Sequence, residues 1–338
     1  MDVAPANAPD FLVAERESGQ RLLRLLATIG GALVFVVIVS SAYLRLSQAG
    51  LSCPDWPACY GRVAQHTEIV GTAQRTVRLA HRLAASAVGV VLIALLLIAA
   101  TRRPRRKRQT ALALAGLLVA VGLATIGAVM SETATRVPLP AVTLANLTGG
   151  FALLVLLWWL WLTTRPAQTP IQPHQRWVKV LAAVALVALI VQVALGALVS
   201  AKFAALACPA FPLCGANVPS GTLLENLNPF TELTIGANGS VARPPPLAAL
   251  HWAHRVGAHV LLACVAFLAF ALIRAGTRAR RLGVLIAALL VLQLALGAAS
   301  VLAHLPLAIV LAHNLVAALL LAALVTVNWH VYAAERLA

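Results

Sequence analysis

The sequence predicts an all-α integral membrane protein of eight transmembrane helices, arranged as two tandem four-helix bundles that form a parallel internal repeat. Three observations lead there. Hydrophobic residues fill 61% of the 338 positions and charged residues only 11%, with a mean hydropathy of +0.90, whereas an ordinary soluble domain is about a quarter charged. The apolar residues fall into runs of about 20, long enough to cross a hydrocarbon core of roughly 30 Å at about 1.5 Å per residue. A seven-residue cysteine figure is also written twice, as Cys53-Pro54-Asp55-Trp56-Pro57-Ala58-Cys59 and Cys208-Pro209-Ala210-Phe211-Pro212-Leu213-Cys214. Each copy precedes an apolar helix carrying the same segment, Ala80-His81-Arg82 and Ala253-His254-Arg255.

Taken in order, residues 1–21 are polar, carry Pro5 and Pro9, and lack an apolar core with a small-residue cleavage site, so a cytoplasmic tail is expected. The first half, 22–165, holds spans at about 22–46, 75–100, 111–130 and 141–162. A Pro- and Gln-rich cytoplasmic linker, 166–176, joins it to the second half, 177–338, with spans at about 178–200, 247–273, 282–303 and 306–332. Arg102-Arg103-Pro104-Arg105-Arg106-Lys107-Arg108 and the Arg274–Arg281 cluster mark the cytoplasmic side, because positive loops stay inside. Both termini then lie in the cytoplasm of a cell whose inner membrane the chain crosses, and both cysteine loops lie on the outer side. The formal net charge of +16 is accounted for by these clusters and implies no nucleic-acid partner; aromatics at 5% offer no stacking surface.

Two like-spaced cysteine pairs on one side of a membrane point to an oxidising compartment and to disulfides Cys53–Cys59 and Cys208–Cys214, either as staples or as redox groups. Cys264, alone in an apolar run, is expected to pack as a small hydrophobe. Ionisable side chains inside a bilayer mark function or pairing. His81, His254 and His313 each lie about two turns in from the outer end of their spans, so three imidazoles share one level. Two imidazoles facing each other across a helix bundle suit the axial positions of a haem iron, and His254 with His313 supplies that pair; zinc is the competing reading. Arg82 and Arg255 follow their histidines and either snorkel to the interface or pair with a haem propionate through the guanidinium fork. His251, His259 and His304 are lesser candidates, and His66 and Glu68 are expected to be solvated.

The repeat, the Cys-Pro-Asp-Trp-Pro-Ala-Cys loop, the Ala-His-Arg segments and the closing Leu305-Pro306-Leu307-Ala308-Ile309-Val310-Leu311-Ala312-His313-Asn314 together resemble the haem A synthase family of cytochrome oxidase assembly proteins, from about Leu22 to Tyr332. The resemblance implies an eight-helix membrane oxidoreductase that turns the C8 methyl of haem O into the formyl of haem A. It implies haem b on His254 and His313, and haem O as substrate beside His81 in the first half. It also implies partnership with the haem O synthase (a farnesyltransferase) and with cytochrome c oxidase assembly; a homo-oligomer is compatible with it. Two positions depart from the family pattern. Arg78 stands where the family commonly has a carboxylate, and Asn146 where it commonly has a histidine, so the candidate catalytic set reads His81, Arg78 and Asn146. Glu132 is the nearest substitute carboxylate. Those departures keep a second reading open, a non-catalytic haem-binding assembly or electron-transfer protein. A third, a transporter built from repeats, would need a helix broken near Gly149-Gly150.

Overall fold

The computed structural model describes residues 8–48, 71–101, 106–132, 139–165, 176–208, 210, 214, 223–234, 241 and 247–332. The Cys53–Cys59 pair, His66 and Glu68 lie outside them. Among the described residues the helices are α1 (Ala8–Gln48), α2 (Thr72–Thr101), α3 (Lys107–Glu132), α4 (Pro140–Thr163), α5 (Arg176–Ala201), α6 (Leu223–Leu227), α7 (Leu247–Arg274), α8 (Thr277–Leu302) and α9 (Leu307–Val331). All but the short α6 contain a stretch long and apolar enough to cross a membrane, and these are the eight spans that hydropathy predicts.

The starts of α1, α2, α3 and α8 lie ahead of those hydropathy suggests, because polar and basic residues continue a helix. The polar segment expected as a tail is helical from Ala8, with Pro9 in the first turn, where its missing N–H has no intrahelical partner to lose. Farther along that segment Glu17 and Arg21, one turn apart, form an ion pair at 3.4 Å. At the other end of the chain, α8 starts at Thr277 and takes in the basic cluster. Its limit is Gly276, whose φ of 106° is the left-handed region only glycine enters freely, so α7 reverses into α8 within two residues. Pro140 opens α4, again at the position where a proline is tolerated, and α4 then runs unbroken through Gly149-Gly150. The broken helix that a transporter reading would need is therefore not there.

The helices close two rings. α1 packs on α2, α2 on α3, α3 on α4, and α4 back on α1; α5, α7, α8 and α9 do the same. α9 also packs on α1 and α4, and α4 on α5, so α9 is the seam. It is the most buried of the eight spans, with half of its apolar stretch inside the protein, while α3 is the least. In lipid, helices associate by close packing and polar ties rather than by hydrophobic transfer. The seam shows both. Ala182 and Ala185 on α5 and Ala318 on α9 are fully buried, and Asn328 Nδ2 donates to Ala182 O at 2.9 Å. Trp158 Nε1 donates to Thr326 Oγ1 at 2.8 Å, tying α4 to α9, and the Arg108 guanidinium lies 5.6 Å from the Trp159 ring and 5.0 Å from the Trp329 ring. These ties gather at the end of the bundle where α1 starts and α9 stops. Cys264 packs against the main core, as expected of a structural thiol.

Candidate functional site

The opposite end of the second ring holds His254 and His313. His254 lies about two turns into α7 and His313 about two turns into α9, and the two rings are within electrostatic reach of each other. Each imidazole meets an amide from the neighbouring helix. Gln192 Nε2 on α5 lies 3.1 Å from His254 Nδ1 and donates to the His254 carbonyl at 2.8 Å. Gln293 Nε2 on α8 lies 3.1 Å from His313 Nε2. Each imidazole also leans on a glycine. A Cβ on Gly196 would stand 2.9 Å from His254 Cε1, and one on Gly297 3.2 Å from His313 Cε1, so neither place has room for a side chain.

Hydrogen-bond accounting shows that this arrangement is incomplete. His313 Nδ1, Gln192 Oε1 and Gln293 Oε1 are buried and have no hydrogen-bond partner. Leaving such an atom unsatisfied costs about 1–3 kcal/mol, a penalty that a bound group removes. Among the described residues no group of three or more His, Cys, Asp or Glu side chains gathers to hold a metal ion, so the donor set here is the imidazole pair. Two neutral imidazoles brought together from different helices, beside buried polar atoms that lack partners, are a donor set that suits a haem iron.

Arg255 sits next to His254 in sequence but reaches the other way. Its guanidinium donates to the carbonyls of Cys208 and, at 2.6 Å, of Ala210. Cys208 and Cys214 form a disulfide with Cα atoms 4.9 Å apart, and Cys208 is fully buried. Arg255 thus locks the cysteine loop onto α7. Hydrogen bonds to a charged group are worth about 1.5–3 kcal/mol each. Arg255→Met is accordingly expected to lower the thermal unfolding temperature of the purified protein, and Arg255→Lys to recover it only in part, because one ammonium lacks the two-pronged fork. An unchanged melting curve for the methionine variant would contradict the lock.

The lesser histidines divide. His251 is buried against the backbone of Ala204. His259 Nδ1 turns back to the Arg255 carbonyl at 2.8 Å, and exposed His304 sits at the strained end of α8 with φ 59°. Just past α5, Lys202 is buried, and loss of solvation pulls its ammonium below the usual lysine range.

In the first ring His81 is half-buried on α2, with Arg78 one turn before it and Arg82 exposed; Asn146 on α4 is exposed as well. Among the described residues no hydrogen bond or ion pair joins His81, Arg78 and Asn146. An apolar cavity of about 470 Å³ opens beside them, lined by Phe35, Val39 and Tyr43 of α1, Val77 and Ala80 of α2, and Leu311 of α9. The Glu132 side chain lies outside the described residues. Sequence reasoning passed over Gln192 and Gln293. The signal was there as a repeated figure, Gln-Val-Ala-Leu-Gly-Ala at 192–197 and Gln-Leu-Ala-Leu-Gly-Ala at 293–298.

Comparison with known proteins adds an independent line. A family model described as cytochrome oxidase assembly protein matches residues 24–325. The chain is 34% identical over 316 residues to the heme A synthase of Shewanella oneidensis, covering 87% of this chain and 93% of that protein. It is 28% identical over 330 residues to the heme A synthase of Sinorhizobium medicae, covering 87% and 85%. A shorter match, 30% over 123 residues, reaches 36% of this chain and 25% of the protoheme IX farnesyltransferase of Haloarcula marismortui.

Proposed function

The chain belongs to the cytochrome oxidase assembly protein family, and we propose that within it the protein acts as a haem A synthase, a membrane oxidoreductase taking the C8 methyl of haem O to the formyl of haem A. The near full-length match to the Shewanella relative carries this reading. The paired imidazoles say where the chemistry is organised. His254 and His313 would hold a resident haem b, which supplies one-electron chemistry when bound. Gly196 and Gly297, having no side chain, leave the room in which the two rings sit against α5 and α8.

The first ring would take the substrate. His81 presents one imidazole to haem O, and Arg82, exposed at the same level, offers a planar fork to a propionate. Arg255 would serve the resident haem through the loop it fixes. Asn146, where a second imidazole would stand, leaves one axial face open, which suits oxygen chemistry and product release; Arg78 supplies positive charge one turn from His81. The apolar cavity between α1 and α2 suits the farnesyl chain that distinguishes haem O. Methyl to formyl is a net oxidation by successive hydroxylations with loss of water, so the site must pass oxidising equivalents to that carbon and exclude stray water. The two rings are read as copies of one unit spanning 22–165 and 177–338, with 1–21 and 166–176 cytoplasmic, both termini inside, and both cysteine loops outside, Cys53–Cys59 paired like Cys208–Cys214. The haem O-forming farnesyltransferase would deliver substrate, and cytochrome c oxidase would receive the product.

Co-expression with a haem O synthase, followed by pigment extraction and chromatography, tests the activity. Haem A should accumulate; haem O alone would favour the rival, a haem-binding or electron-transfer protein, which the presence of Arg78 and Asn146 at those two positions supports. The haem-binding geometry has its own check. Gly196→Ala should lower haem per polypeptide, because its methyl would press on the His254 ring, while Gly127→Ala, which would meet nothing within 4 Å, should not. Equal haem content in the two variants would sink the packing argument.

A further inference from the structure

α5 and α8 are alike in more than hydropathy. Both carry the glutamine–glycine figure, Gln192 with Gly196 and Gln293 with Gly297, and both end at the same distance beyond it in a residue of positive φ, Phe203 at 56° and His304 at 59°. In both, the next N–H reaches back to the carbonyl five residues earlier, Ala204 to Val199 and Leu305 to Ser300. Each of these helices packs on the helix that brings a histidine, α5 on α7 and α8 on α9. In both places the glutamine meets one ring nitrogen and the glycine, one turn on, meets Cε1.

Resting on the haem reading above, we infer that Gln192 and Gln293 are positioning residues for the two axial imidazoles, each fixing the plane and the proton of its histidine. A neutral imidazole offers a lone pair from one nitrogen only when its proton sits on the other, and the group that accepts that proton decides which. An amide oxygen can accept it. Both glutamine oxygens are buried and unpartnered beside these rings, and a half-turn of the amide exchanges oxygen for nitrogen. At His254 that turn gives up the bond to the backbone carbonyl and takes the Nδ1 proton, leaving Nε2 for a ligand. At His313 the amide nitrogen as placed faces Nε2, and the same half-turn lets the oxygen accept the Nε2 proton and leaves the unpartnered Nδ1 for a ligand.

The first ring lacks both amides. The matching figures there are Val37-Ile38-Val39-Ser40-Ser41-Ala42 on α1 and Leu123-Ala124-Thr125-Ile126-Gly127-Ala128 on α3, with Val37 and Leu123 in the glutamine positions. Leu123 faces α4 one turn from Asn146, where a Cβ on Gly149 would meet its side chain at 2.6 Å. Among the described residues no amide is hydrogen-bonded to the His81 ring, as befits a haem that must leave, while the second ring is equipped to keep its haem.

The test uses the full-length protein purified with its haem, as wild type and as Gln192→Leu, Gln293→Leu and the two glutamate variants. The readouts are the rate of haem loss to apomyoglobin, the midpoint potential and the low-spin signal. Each leucine variant should lose haem about 10–100-fold faster, the usual loss for a ligand-orienting partner. It should also raise the potential, and glutamate should restore retention and lower the potential, because a stronger acceptor makes the imidazole more electron-rich. Circular dichroism keeps a folding defect apart from this effect. Leucine variants with wild-type haem loss and potential, in a wild type that does carry low-spin haem, overturn this inference alone. A wild type without low-spin haem overturns the haem reading with it.

Discussion

On the proposed function, replacing His254 or His313 with alanine is expected to abolish the low-spin haem spectrum of the purified protein, and haem A production with it. The two imidazoles come from different helices, α7 and α9. The nearest other imidazole, His251, lies one turn before His254 on α7, buried against Ala204 with its Nδ1 unpartnered, so His251→Ala is run beside them as the control for a substitute ligand. Were His254 and His313 to hold a haem, removing one of them would leave a single imidazole to hold it, and the bis-imidazole absorbance would be lost even if the macrocycle stayed bound. α9 is the seam of the molecule, so the His313 variant is run with a helix-content and monodispersity check, and the His254 variant, away from the seam, gives the cleaner result. Full bis-imidazole absorbance after either replacement would sink the ligand assignment.

The second large effect separates the rings. His81→Ala is expected to stop conversion of haem O to haem A but to leave the low-spin spectrum of the proposed resident haem intact, because His81 belongs to α2 in the other ring and, among the described residues, shares no hydrogen-bonded partner with His254 or His313. Substitutions that share no partner act independently. Two measurements on one sample decide it, the absorbance of the purified protein and the chromatogram of its extracted pigments. A variant that still forms haem A would remove His81 from the substrate site. One that loses the resident haem as well would contradict the division of labour between the rings.

Much of the fold is visible before any tertiary contact is known. Crossing a bilayer is a local condition on length and polarity, so each span can be recognised from its own residues, and the polar or basic starts of α1, α2, α3 and α8 escaped because charge does not stop a helix. The His254–His313 pairing is legible for a related reason: depth in the membrane follows from position along a span, and equal depth on helices of one bundle makes facing imidazoles. Arg255 was readable only as a charge at the right level. The carbonyls it binds, those of Cys208 and Ala210, lie 47 and 45 residues away, and no local pattern names them.

The sequence by itself determined the eight spans, the two cysteine figures and the level of the three imidazoles, since each depends on hydropathy, spacing or count. Only the tertiary structure decided which buried amide meets which imidazole in the second ring. Gln192 reaches a histidine 62 residues on and Gln293 one 20 residues on. A buried amide in an apolar helix carries no mark of its partner until the helices pack. What selects it is geometry: a glycine one turn away lets the imidazole approach, and the low dielectric of the interior makes an unpartnered polar atom too costly to leave without a role.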